Sequence, residues 1–446
     1  MSGKELLPSP AGSRVGKEVA EIVAKKLQFP LTPDDSLRNS DSEDESVSKQ
    51  GFSIDQKSTE NAIEEVKKIR ETPKKTRKLP LRYRPPNGTI LEISSFTESQ
   101  SLQEQDDQID VQDLSFLHHA LEYSQRMVVV SGAGISVGSG IPDFRSANGL
   151  FQGLSSQAGP GGSGKQLFDY NVFRSEESTQ KFHKMIQRLF QMSREAEPSK
   201  FHRYIDKVSG SDRLVRLYTQ NIDCLEIQLP NLATATPLIP RPPFPKTIQL
   251  HGNVQLMSCS KCKYTTNMDP SFFEHSKGGI CPECEEWETI NQIAGKRARG
   301  CGVMRPRIVL YNEFHPDGET IGKVSATDLR AKPDCLVVVG TTLKIPGVRR
   351  LVKELSRVVH SQKGCIIWIN TEMPSMSIVD YVEHFDLIVV GDCQLIPTIM
   401  EKFNHEIASK KRKPRQIKER QGKVIKKSKK NLKQSQLVPI KAEDPN

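Results

Sequence analysis

The sequence predicts an α/β protein: a Rossmann-like, doubly wound parallel sheet with a small zinc-ribbon module and a helical segment inserted into it, and a disordered tail at each end. Three observations predict this class. Short apolar, β-branched runs recur through the middle of the chain, separated by helical patterns, and each run stops at a polar tip. Continuous apolar strands of that kind are buried on both faces, as parallel strands are. One run, Met127–Val130, passes straight into Gly132, Gly134, Gly138 and Gly140. Glycine at that density lets the backbone turn sharply and bring bare N–H groups against a phosphate. Finally, Cys259-x-x-Cys262 and Cys281-x-x-Cys284 are two knuckles separated by 18 residues, the spacing of a closed, tetrahedral four-thiolate zinc site.

At 446 residues the chain has room for two or three domains, but only 36% of it is hydrophobic and its formal net charge is +10, so part of the length is not expected to be globular. No apolar run approaches the roughly 18 residues of a membrane-spanning helix. Residues 1–30 lack the apolar core of a signal peptide, and no membrane contact is expected. Nine cysteines, an odd number, read as reduced thiols plus a metal site in cytosol or nucleus. From Glu401 to Asn446 there are 15 Lys and Arg against 5 Asp and Glu, a difference equal to the +10 of the whole chain. Within it, Lys410–Arg415 reads as a nuclear-localisation patch, and the same cations favour nonspecific contact with nucleic acid or chromatin.

Taken in order, residues 1–110 are expected to be largely disordered, with an acidic serine cluster at Ser40–Ser46 and a basic run at Lys74–Lys78. Order is expected to begin near Asp113, where Leu114, Leu117 and Leu121 recur at helical spacing and deliver the chain into the Met127 strand. A catalytic domain is expected over 111–405, with the zinc module at about 253–302, and a basic disordered tail over 406–446. The glycine-rich segment 153–164 reads as a loop. Ser175 suits the cap of a helix with Phe182, Ile186, Leu189 and Phe190 on one face. A strand at Leu214–Tyr218 ends in Thr219-Gln220-Asn221-Ile222-Asp223, and 229–246 reads as an exposed proline-rich insertion. Thr247–Leu250 ends at His251-Gly252, and Ile308–Tyr311 at Asn312-Glu313. Cys335–Val339 ends at Gly340-Thr341-Thr342, Cys365–Ile369 at Asn370-Thr371-Glu372, and Leu387–Val390 at Gly391-Asp392-Cys393. A helix over Val348–Val359 separates two of them. All the tips are expected along one sheet edge, where open α/β sheets bind ligands. Cys224, Cys335, Cys365 and Cys393 read as small buried residues, and Cys301 and His275 as bystanders to the knuckles.

In their order, G-A-G-I-S and G-I-P-D-F-R-S (Gly132–Ser136, Gly140–Ser146), T-Q-N-I-D (Thr219–Asp223), His251-Gly252, the cysteine knuckles and G-T-T-L-K (Gly340–Lys344) resemble the sirtuin family of NAD-dependent protein deacetylases over residues 113–400. The chain looks most like the fungal nuclear branch that deacetylates histones. The resemblance implies NAD as a co-substrate and one structural zinc on Cys259, Cys262, Cys281 and Cys284. Metal binding of that kind contributes on the order of 10 kcal/mol to folding a small module.

By the same resemblance Gly132, Ala133, Gly134 and Ser136 hold the pyrophosphate, and Asp143, Phe144 and Arg145 line the nicotinamide-ribose side. Gln220, Asn221, Ile222 and Asp223 bind ribose and carboxamide. Gly340, Thr341, Thr342, Asn370, Thr371 and Glu372 hold the adenosine half, with Cys393 near adenine. Asn221 and His251 are the catalytic residues it implies. The acetyl oxygen attacks the anomeric carbon, nicotinamide leaves and an imidate forms; His251, whose imidazole suits base work near neutral pH, activates a ribose hydroxyl to resolve it. The products are deacetylated lysine, nicotinamide and O-acetyl-ADP-ribose. The substrates implied are acetylated histone tails or core lysines in nuclear chromatin, with a role in silencing and genome maintenance. The peptide is expected as an added strand between Val309–Asn312 and Leu343–Gly347.

Three departures stand out from the family pattern: Cys224 and Asn312 occupy usual glycine positions, and the 229–246 insertion precedes His251. A hydride-transferring dehydrogenase is disfavoured by the G-x-G-x-x-x-G-x-G spacing and the zinc module. An ADP-ribosyltransferase side activity stays open, and an NAD-binding chromatin adaptor is disfavoured by Asn221 and His251.

Overall fold

The computed structural model describes residues 81–96, 110–143, 167–382 and 385–407. Phe144 and Arg145 of the expected cofactor wall, the glycine-rich segment 153–164, most of 1–110 and the tail beyond 407 lie outside the described residues.

Seven parallel strands form the main sheet: β1 (Thr89–Glu92), β2 (Met127–Ser131), β3 (Leu214–Thr219), β4 (Thr247–Gln249), β8 (Cys335–Val339), β9 (Cys365–Asn370) and β10 (Leu387–Val390), in the order β1-β10-β9-β8-β2-β3-β4. Every residue of β2 and β8 is buried, which is why these runs lack polar alternation. Their two faces feed different cores. Met127, Val129, Val337 and Val339 pack under α1 (Val111–Tyr123), α3 (Lys200–Gly210) and the helical residues 395–407. Val128, Val130, Leu336 and Val338 pack under α5 (Gly318–Arg330), α6 (Pro346–Ser361) and α7 (Met376–Val382). On α6, which covers the expected helix Val348–Val359, the stripe Val348, Val352, Leu355 and Val359 is buried. At roughly 1.5–3 kcal/mol for each fully buried aliphatic side chain, that stripe outweighs helix propensity in holding α6 down.

A second lobe is built from two excursions of the chain, one between β2 and β3 and one between β4 and β8. It joins α2 (Glu176–Glu195) to the antiparallel sheet β6-β5-β7, made of β5 (Gly252–Cys259), β6 (Thr265–Asn267) and β7 (Met304–Ile308), and to α4 (Pro282–Ile293). Ser175 caps α2, accepting from the Ser178 amide at 3.2 Å. Phe182, Ile186 and Leu189 are buried against the small sheet and Phe190 is half-buried beside them.

Two sequence expectations are corrected. The folded region starts upstream of Asp113: β1 extends the parallel sheet beside β10, Tyr83 Oη donates to Asp113 at 2.9 Å, and Arg84 pairs with buried Asp386 at 2.5 Å. T-I-L-E is short and half polar because β1 is an edge strand, so no buried-strand signal marks it. The expected parallel strand Ile308–Tyr311 is instead the antiparallel β7, Met304–Ile308, followed by an extended segment 309–312. Arg305 and Arg307 alternate with buried neighbours there, forming ion pairs with Glu313 and Asp317, which hides the strand among charges. The metal-bearing sheet accordingly runs from Gly252 to Ile308, wider than the expected 253–302.

Candidate active site

The chain order reverses between β2 and β8, adjacent strands from which the connections run in opposite directions. At such a switch point the loops diverge and leave a crevice at the carboxyl ends. Here the two loops meet backbone to backbone. Gly132 N donates to Val339 O at 3.0 Å and Gly134 N to Gly340 O at 2.9 Å. A Cβ on Gly132 would lie 2.6 Å from Thr341 Cβ, and one on Gly134 would lie 2.7 Å from Gly340 Cα. Both glycines are therefore steric requirements of the loop contact, and Gly340 adds a left-handed turn at φ +61.

The crevice opens into a cleft of about 840 Å³. Of the expected residues, Gly132, Ala133, Gly134, Asp143, Gln220, Asn221, Ile222, Gly340, Thr341, Thr342, Asn370, Thr371, Glu372 and Cys393 line it, together with His251. Ser136 and Asp223 do not line the cleft; they are buried one layer behind it. Asn221 Nδ2 donates to Ser136 Oγ at 3.0 Å, and Ser136 in turn bonds the Asp223 carboxyl. Burial pushes the Asp223 carboxyl up. Behind Asp223 lies Glu226, fully buried, which accepts from Thr219 Oγ1 at 2.5 Å and is pushed up to about 8 by burial and then by the charge of Asp223. Thr219 Oγ1 also accepts from the Asn221 amide at 3.1 Å. Sequence reasoning missed Glu226; an acid three residues beyond Asp223 in an otherwise apolar stretch was its signal. It also missed Phe168 and Val137 as lining residues, for which nothing in the sequence stands out.

Asn221 Oδ1 is buried and has no hydrogen-bond partner among the described residues. A buried amide oxygen without a donor is costly, and this one belongs to a residue lining the cleft. Together with the bare glycine cradle it fits a ligand bearing phosphates and an amide donor, which are the groups of a nicotinamide dinucleotide.

His251 sits in the turn between β4 and β5. Its Nδ1 lies 2.9 Å from Gln220 O. A carbonyl only accepts, so Nδ1 carries the proton and Nε2 is the basic nitrogen of the neutral ring. The main chain holds the residue as firmly: Val309 N donates to His251 O at 3.0 Å, and Gly252, at φ +86, presses on the Arg307 carbonyl where a Cβ would have no room.

The two departures from family glycine have one physical cause. Cys224 has φ +64 and Asn312 φ +66, the left-handed region where glycine is the default. The buried Cys224 thiol turns away from the cleft and bonds Asn253 Oδ1 at 2.9 Å. Asn312 lines the cleft. The 229–246 insertion is largely exposed, as expected, but Leu232 and Leu238 anchor it in the two cores and Arg216 Nη1 donates to the Phe244 carbonyl at 3.2 Å.

The sulfurs of Cys259, Cys262, Cys281 and Cys284 lie within 4.8 Å of one another, with Cys259–Cys284 and Cys262–Cys281 both at 3.7 Å. A tetrahedron with zinc–sulfur bonds of about 2.3 Å has edges of about 3.8 Å, so the set fits zinc with no position left for water. The Lys261 and Cys262 amides point at Cys259 Sγ from 3.3 and 3.4 Å. His275 and Cys301 stand outside the cluster.

A model described as the Sir2 family matches residues 132–347. The chain is similar to the NAD-dependent histone deacetylase HST4 of Saccharomyces cerevisiae, 43% identical over 335 residues, 73% of this chain and 89% of that one. It is 46% identical over 283 residues to the NAD-dependent protein deacetylase hst4 of Schizosaccharomyces pombe, covering 64% and 68% of the two chains. It is 36% identical over 285 residues to the NAD-dependent histone deacetylase HST3 of Saccharomyces cerevisiae, covering 60% and 64%.

Proposed function

Because the chain belongs to the Sir2 family, we propose that it is an NAD-dependent protein lysine deacetylase that acts on acetylated histone, moving the acetyl group to ADP-ribose with release of nicotinamide. The single observation that carries this is the convergence on one cleft of the glycine cradle, the donor-less Asn221 amide oxygen and the basic Nε2 of His251.

NAD supplies a ribosyl carbon carrying a leaving group, and the chain's residues prepare the rest. The Gly132–Gly134 turn, bare of bulky side chains, lets the pyrophosphate approach the main chain closely. Asn221 accepts from the carboxamide, its side chain set by Ser136 and Asp223. Thr341, Thr342, Asn370 and Glu372 flank the adenosine half. His251 Nε2 takes the proton from a ribose hydroxyl, and its Nδ1–H stays on Gln220, which keeps the tautomer fixed while the ring becomes cationic. Phe144 and Arg145 complete the nicotinamide wall in this reading. The substrate peptide lies between the 309–312 and 343–347 segments, both of which border the cleft.

The zinc is structural, since its four thiolates leave no open position. The site of action is the nucleus, with chromatin as the working partner and a role in silencing and genome maintenance. The basic segment 406–446 supports import and nonspecific contact with nucleic acid.

The test is to incubate purified protein with acetylated histone, with and without NAD, and to follow acetyl loss and nicotinamide release. Loss without NAD, or NADH in place of nicotinamide, overturns the reading.

A further inference from the structure

Asn312 holds a left-handed conformation at φ +66 that glycine adopts at no cost, and among other residues asparagine tolerates it best. What the chain gains there is a side chain at the rim of the cleft. Its Nδ2 donates to Asp169 Oδ2 at 2.7 Å; since a carboxylate only accepts, the amide orientation is settled and Asn312 Oδ1, on the same amide carbon, is the acceptor next to that bond.

Asp169 is itself built into place. Its Oδ1 accepts from Asn171 N at 2.9 Å as the cap of the turn Tyr170–Arg174. Around it the main chain bridges to the 309–312 segment through Tyr311 N to Phe168 O at 2.7 Å and Tyr170 N to Tyr311 O at 3.0 Å. The neighbouring acid is already neutralised: Glu313 takes Arg305 in a two-pronged pair at 2.6 and 3.0 Å, and Arg305 also covers the Phe173 ring at 4.8 Å. Asp169 forms no ion pair among the described residues. The Asn312 main-chain N–H and C=O likewise make no hydrogen bond there.

We propose that the Asp169–Asn312 pair is a specificity subsite that takes a cationic side chain, arginine or lysine, close to the acetyl-lysine of the substrate. This rests on the deacetylase reading and on the peptide lying along 309–312. The Asp169 carboxylate supplies the charge, Asn312 Oδ1 a second acceptor beside it, and the Asn312 main chain a hold on the peptide backbone. A guanidinium or ammonium placed there meets two fixed acceptors and no competing cation from Arg305.

The test uses the full chain and acetyl-lysine peptides with arginine at each of the three positions on either side, each matched by citrulline, which has nearly the same shape without the charge. The readout is the ratio of kcat/KM between the two members of a pair, so the active fraction of any preparation cancels. Wild type is expected to favour arginine over citrulline by about fivefold or more at one position, mainly through KM, as a partly exposed charge pair allows. Asp169→Asn keeps the acceptor for Asn171 and is expected to bring the ratio close to one. Asn312→Gly suits the backbone and is expected to lower it. Equal turnover of arginine and citrulline peptides at every position by wild type, or an unchanged ratio in both variants, overturns the subsite. If no peptide loses acetyl with NAD and wild-type protein, the deacetylase reading itself has failed.

Discussion

At the scale of single residues, two protons matter, one for catalysis and one for stability. The first is on His251. Its Nδ1–H is committed to Gln220 O, so His251→Ala is expected to retain NAD binding and to lower turnover by roughly 10²–10⁴-fold, the ordinary contribution of a positioned base; near-normal formation of O-acetyl-ADP-ribose by this variant would remove the base assignment. The second is on Glu226. An ordinary glutamate titrates near 4.5, and this one is pushed up to about 8, so the folded state holds its proton more tightly than the unfolded chain. The stabilisation from that proton is complete below pH 4.5 and is lost as pH rises through 8. Glu226→Gln keeps an acceptor for Thr219 and does not titrate. The melting temperature of wild type is therefore expected to fall relative to the variant between pH 5 and 8.5, and a constant difference across that range would refute the assignment. The histidine was legible in the sequence because it ends a strand and precedes the metal knuckles. Glu226 was less so: an acid three residues past Asp223 in an apolar stretch hints at burial, but only the fold closes around it completely.

At the scale of elements, the strands with uninterrupted β-branched residues were legible, since burial on both faces leaves them no polar alternation. β1 and β7 were not: an edge strand and a strand carrying two paired arginines both read as polar chain. The metal module was legible from spacing alone, because two knuckles at four sulfurs leave few other uses. Gly302 is the element's least obvious part. A Cβ there would sit 2.5 Å from Cys259 Sγ and 2.7 Å from Lys261 Cβ, so Gly302→Ala is expected to weaken zinc retention against a chelator although it replaces no ligand residue. Full zinc removal is expected to unfold the β6-β5-β7 module and lower the melting temperature. If metal analysis shows all zinc gone while melting is unchanged, its structural role is wrong.

At the scale of the whole molecule, residues far apart in sequence close the sheet. Arg84 reaches Asp386 and donates to the Lys363 and Gly364 carbonyls at 3.0 Å each, while Ile93, just past β1, is completely buried. A chain beginning at residue 97 is expected to melt well below one beginning at residue 81; equal melting would show that β1 adds nothing to the domain. The other long-range tie is β5. This bulged strand starts one residue past His251 and ends on Cys259, seven residue steps or about 23 Å along an extended backbone. It is a beam with the proton acceptor rooted at one end and the first metal thiolate at the other, and the dinucleotide cradle belongs to a different set of strands. Loosening the far anchor is expected to slacken the base and leave the cradle standing, so mild chelation is expected to slow acetyl transfer at unaltered dinucleotide affinity; a titration in which both fall together would refute that.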